Sequence, residues 1–220
     1  MMSGVVSNFL ASFAIASIFG KDSLKLPGAG APLLVSLLLL DAAITFLILW
    51  LLMSTHQETL AGMGLRRSHW KTNVILGLVT VPLFFIIGGV VTVVFQIFFP
   101  QYVLEKNPLT DAIRTPVHLA LFLIAAIIAG GVKEELQRAF ILRRFHRRLG
   151  GSAVGLVVWS LAFGAGHYVQ GVQGVVAATI FGFVFGALYL MRGNLVAPIT
   201  AHAVYDAAAV LLYWFVLKND

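Results

Sequence analysis

Apolar residues run along this chain in blocks longer than a soluble core needs: Ala31–Met53, Val74–Phe99, Val117–Val132, Gly155–Phe163 extended to about His167, Val175–Met191 and Leu195–Leu217. Several approach or exceed the roughly 20 residues that carry a helix across a bilayer core. An earlier block, Phe9–Phe19 within Met1–Gly20, predicts a first, short membrane helix. It has no basic residue ahead of its apolar part and no small-residue cleavage site before Lys21, which argues against a cleaved signal peptide. The pattern predicts an all-α, polytopic transmembrane helical bundle with six or seven spans, eight at most. It reads as a single transmembrane domain over residues 1–220, with no internal repeat and no soluble appendage.

Composition agrees with the pattern. Of 220 residues, 60% are hydrophobic and only 11% charged, with mean hydropathy +0.94; a soluble domain has about 25% charged residues. The formal net charge of +6 comes from basic residues flanking spans, in one cluster at Arg66, Arg67 and Lys71 and a stronger one at Arg143, Arg144, Arg147 and Arg148. Such clusters mark the cytoplasmic side and suit anionic lipids. No nucleic-acid motif accompanies them, so nucleic acid is not expected as a partner. The chain has no cysteine, which removes disulfides, thiol nucleophiles and thiolate metal sites.

An ionisable side chain inside a span costs about 2.5–3.5 kcal/mol on insertion scales, so each one needs a reason. The group is short: Asp41, Glu134, Glu135, Arg138, His167, His202 and Asp206. His202 and Asp206 are four apart and share one face of the last helix. Glu134 and Arg138 are also four apart and can pair, leaving Glu135 about 100° around the helix. Two adjacent carboxylates with one shared cation suit a general base. Glu134 lies about 15 residues before the turn near Leu149–Gly151 and His167 about 17 after it, so antiparallel helices bring them to one depth. Following the next hairpins brings Asp206 near that depth, with His202 a turn away. Asp41 either faces the same cavity or pairs with Arg138.

Membrane-embedded acids and histidines serve proton relays, ion transport or hydrolysis. The chain has none of the GxSG, GxGD or HExxH motifs of other intramembrane proteases. It does carry "EELQR" (Glu134–Arg138), "FGAGH" (Phe163–His167) and "HAVYD" (His202–Asp206), in that order on separate hydrophobic helices. In this the chain resembles the CaaX-protease and bacteriocin-processing (CPBP, Abi) family of intramembrane proteases. The resemblance covers roughly Val117 to Val210, and places a motif-bearing core at about 116–212. The family pattern is EExxxR, whereas this chain reads EExxR. Either Arg138 matches the family arginine, which puts Lys133 and Glu134 in the places of the two glutamates, or the glutamates match and the arginine has slipped by one.

The resemblance implies a glutamate, Glu134 or Glu135, and His167 activating a water against a peptide carbonyl. His202 and Asp206 would stabilise the oxyanion or complete the site, Arg138 would position a glutamate and Phe163 would pack under His167. It also implies either zinc, held by His167, His202 and a carboxylate, or a glutamate acting alone. The implied substrate is a membrane-embedded or lipid-modified peptide. Small size and bare loops point to a bacterial or archaeal plasma membrane. Two other readings remain: a non-catalytic scaffold or immunity relative of the same family, and a proton-coupled transporter. The basic clusters set the cytoplasmic face, and the depth argument puts the site nearer the opposite one, although the eukaryotic prenyl proteases work from the cytosolic side.

Overall fold

The computed structural model describes residues 2–19, 30–104 and 107–219. The described residues form helices α1 (Met2–Phe19), α2 (Ala31–Thr55), α3 (Trp70–Phe98), α4 (Pro108–Asp111), α5 (Pro116–Ala125), α6 (Glu135–Arg148), α7 (Ser152–Gly166), α8 (Gly171–Arg192) and α9 (Val196–Phe215). A π-helical segment, Ala126–Glu134, joins α5 to α6 without a break in the helix axis. Met1, Gly20 and the chain around Lys21 lie outside the described residues.

Among the described residues, five helices are long and apolar enough to cross a membrane: Ala31–Thr55, Trp70–Phe98, Pro116–Arg148, Tyr168–Arg192 and Val196–Phe215. Ser7–Ser17 and Ser152–Gly166 are apolar but shorter. The surface follows from that composition. Trp50, Ile86, Ile97 and Leu161 point outward, while Glu135 and Arg138 are 0% exposed. A soluble protein would hide the first set and hydrate the second. The chain is an integral membrane protein.

The start of α5 is capped by a side chain. The Thr115 hydroxyl accepts from the His118 amide at 3.2 Å, and Pro116 opens α5, where a missing N–H leaves nothing unsatisfied. The basic stretch "FILRRFHRRL" belongs to α6 up to Arg148, and Pro116–Arg148 forms one helix of 33 residues. Such a helix is about 50 Å long, more than a bilayer core of about 30 Å requires.

Packing sets α7 against α8, α9 against α3 and the π segment, and α2 against α1 and α5. "GFVFG" (Gly182–Gly186) makes the close approach that its small-residue spacing suggests: a Cβ on Gly182 would come within 3.0 Å of the Ser160 Cα on α7. Aromatic rings fill the centre, with Phe84 stacked on Phe185 at 4.2 Å and tilted against Tyr205 at 5.6 Å.

Candidate active site

Three consecutive residues at the junction of the π segment and α6 point to three different neighbours. Lys133 reaches α2, Glu134 faces a cavity, and Glu135 turns into the protein interior. Successive residues of a helix differ by about 100°, so a run of three can address three helices at once. The preceding π turns, which take up an extra residue each and recur at functional sites, set the angle at which that run meets the bundle. Gly131 lets α9 come close, since a Cβ there would lie 3.0 Å from the Ala203 Cα.

Glu135 and Arg138 form a fully buried ion pair three residues apart, with the Arg138 Nη1 donating to the Glu135 Oε1. The guanidinium lies over the rings of Phe163 at 4.8 Å and Phe185 at 5.2 Å. The expectation that Arg138 pairs with Glu134 is therefore corrected. Arg138 lies on the inward stripe of α6, where Glu135 also points, and an (i, i+3) pair meets as readily as (i, i+4). The EExxR spacing thus sets the arginine on the second glutamate of the pair.

His202 is clasped from both edges. Its Nδ1 donates to the Glu135 Oε1 at 2.7 Å, while its Nε2 lies 3.5 Å from the Asp206 Oδ2 and 3.8 Å from the Glu134 Oε2. Phe185 stacks on its ring at 4.3 Å, which fixes the plane of the imidazole. His167 stands at the end of α7 with its Nδ1 2.8 Å from the Phe163 carbonyl oxygen. A carbonyl can only accept, so Nδ1 carries the proton and Nε2 is left for the cavity. The Phe163 ring packs against His167 at 4.7 Å, the supporting role read for it from the sequence.

Glu134, His167, His202 and Asp206 all line one cavity of about 660 Å³. It runs between α3, α5, α8 and α9 and is bordered by Leu104, Asn107, Gln170 and Leu217, on connections away from the arginine-bearing end of α6. Glu135 does not line it. Of the two adjacent carboxylates, one can meet a substrate and the other is walled off.

Asp41 neither faces this cavity nor pairs with Arg138, contrary to both expectations. Its Oδ2 accepts from the Lys133 Nζ at 2.9 Å and its Oδ1 from the Ser7 hydroxyl at 2.6 Å. Lys133 also lies 3.3 Å from the Glu134 Oε1. In the sequence the adjacent Glu134 and Glu135 mask Lys133, and the one signal of its partner is Asp41, a lone acid in an apolar run.

Zinc through His167, His202 and a carboxylate does not fit this arrangement. Among the described residues no three His, Asp or Glu side chains converge at a separation that would hold a metal ion. The Nδ1 atoms of both histidines are held by Phe163 and Glu135, so any ligand would meet their Nε2 atoms, which no third acid or histidine joins at metal-binding separation.

Two acids and two histidines thus face one largely apolar cavity enclosed by membrane helices. The family model for Rce1-like proteins, type II CAAX prenyl endopeptidase Rce1-like, matches residues 116–208. That stretch, which contains all five candidate site residues, is a domain of the Rce1-like type II CAAX prenyl endopeptidase (CPBP/Abi) family. No curated protein and no solved structure matches the chain.

Proposed function

We propose that the chain is an intramembrane endopeptidase in which Glu134 is the general base. The observation that carries this is the shared cavity: Glu134, His167, His202 and Asp206 face the same space, and Glu135 does not. One water can donate one hydrogen to the Glu134 carboxylate and the other to the His167 Nε2. Glu134 then takes its proton as the water oxygen attacks the peptide carbonyl carbon, and returns that proton to the departing amine nitrogen. A proton held between the His202 Nε2 and Asp206 donates to the oxygen on which negative charge develops. Glu135 and Arg138 act at one remove by fixing His202.

The substrate is a membrane-associated or lipid-modified peptide, since the cavity lies among membrane helices and its walls mix apolar side chains with a few polar ones. The two shorter apolar helices, α1 and α7, join the five long ones to make seven spans. Basic residues at the α6 end face the cytoplasm of a bacterial or archaeal cell and meet anionic lipid there. The cavity then faces the other side. Because the chain has no cysteine, Gln170→Cys alone should react with a membrane-impermeant maleimide added outside intact cells, and Arg147→Cys alone should not. The reverse pattern defeats this orientation.

The experiment that tests the function is cleavage of a membrane-peptide library by the purified protein in nanodiscs. Wild type should cut, and Glu134→Gln and His167→Ala should not. A wild type that cuts nothing, with the library or with native membrane extracts, returns the weight to a scaffold. Flux of solute driven by a pH gradient in proteoliposomes points instead to a transporter.

A further inference from the structure

The proposed reaction uses four cavity-facing groups and leaves one buried cation without a role. Lys133 is 8% exposed, midway along a helix within the apolar layer. Its Nζ donates to the Asp41 Oδ2 at 2.9 Å and lies 3.3 Å from the Glu134 Oε1. Asp41 is held in turn by the Ser7 hydroxyl at 2.6 Å, and Ser7 accepts from the Thr45 hydroxyl at 2.7 Å. A continuous polar chain therefore runs from α1 and α2 to the residue that faces the cavity.

An ion pair that served only to join helices would need Lys133 and Asp41 alone. The third contact is what carries the argument. Glu134 presents Oε1 to Lys133 and Oε2 to the His202 Nε2 at 3.8 Å, so the cation occupies one carboxylate oxygen and turns the other towards the imidazole and the cavity. The charged and titratable groups around Glu134 are Lys133, Glu135 and Arg138 on its own helix, Asp41 on α2, His167 on α7, and His202 and Asp206 on α9. Arg138 is bound to Glu135 and turned away from the cavity. Lys133 is thus the cation that contacts the Glu134 carboxylate directly, and Asp41 is the counter-ion that keeps it in place. A carboxylate has rotational freedom about its last bond, and a fixed donor on one oxygen removes it.

We infer that Lys133, anchored by Asp41, is a positioning residue that fixes the Glu134 carboxylate for its encounter with water. The inference rests on the reading of Glu134 as the base. It also extends the site beyond the family domain at residues 116–208, because Asp41, Ser7 and Thr45 belong to the first two helices.

The test uses the full chain in nanodiscs and the library peptide that wild type cuts fastest. Lys133→Met should lower kcat on the order of 100-fold, the scale of a small misplacement at a reacting centre, with KM within about twofold. Lys133→Arg should recover most of that loss, because it restores a donor and a charge. If Lys133→Met fails to fold through the bare Asp41 charge, the double variant Asp41→Asn/Lys133→Met removes both charges and decides. It should melt as wild type does and keep the low kcat. A folded Lys133→Met or double variant with kcat within about threefold of wild type overturns the inference. If wild type cuts, Glu134→Gln is dead and Lys133→Met is unaffected, the inference alone falls. If wild type cuts nothing, the reading of Glu134 falls and takes the inference with it.

Discussion

Carboxylates meet cations in two parts of this molecule, and the two do it differently. Beyond the end of α2, Glu58 sits under three arginines, with its Oε1 2.7 Å from the Arg144 Nη1, 2.9 Å from the Arg147 Nη1 and 3.7 Å from the Arg143 Nε. The Arg144 hydrogen bond, outweighing partial desolvation and helped by the charges of Arg144, Arg143 and Arg147, holds the Glu58 carboxyl below its usual range. Deeper along the same α6, Glu135 has one arginine, and on α2 Asp41 has one lysine. Excess positive charge is tolerable at the loop because water and headgroups screen it. In the apolar layer the structure pairs charge one to one. Two acids escape that matching, Glu134 beyond its shared lysine and Asp206, and both face the cavity with the histidines. In this bundle, the acids without a cation of their own are the ones that face the cavity.

The comparison breaks most visibly at Glu134. Glu134→Gln should lower cleavage by about 10²–10⁴-fold while the melting temperature stays put, as the role of base proposed for it requires. Initial rates beside a melting curve check this. At Glu135 the effect should pass from rate to stability. Glu135→Ala strands Arg138 as a buried, unpaired charge and should destabilise by about 3–5 kcal/mol, seen as a large drop in melting temperature in detergent. An unshifted melt there would erase the difference between the two glutamates.

At the loop the effect should be small and dependent on pH. The Glu58 value in the fold lies below the ordinary 4.5. Its contribution is complete above the ordinary value and drains away as pH falls through the lower, folded one. The melting-temperature gap between wild type and Glu58→Gln should therefore exist at neutral pH and close in strong acid. Least of all should move on chelation. With no three-ligand set among the described residues, the cleavage rate should be the same with and without a strong chelator. A loss restored by zinc would reopen His167 and His202 as ligands.

Much of the site was legible in the chain because hydrophobic surroundings make every charge conspicuous. Counting along antiparallel helices was enough to bring Glu134, His167, His202 and Asp206 together. Partner choice was not legible. Arg138 could reach Glu134 at four residues or Glu135 at three, and only the direction of the helix within the bundle decides. Asp41 and Lys133 are 92 residues apart, and no spacing rule links helices so distant in sequence. The π segment was equally hidden, since "AIIAGGVKE" contains nothing that an α-helix would refuse.

The short helix α7 has a consequence for solvent supply. Its 15 residues span about 22 Å where the apolar layer is about 30 Å thick. One end is at the turn after the arginines, so the other end, with His167, stops short of the far surface. The chain that continues from it carries Gln170 and Gln173, both on the cavity wall. The proposed hydrolysis needs water delivered into an apolar layer. A helix too short to seal its own column would supply that inlet beside the histidine, on the side bordered by Gln170 and Gln173.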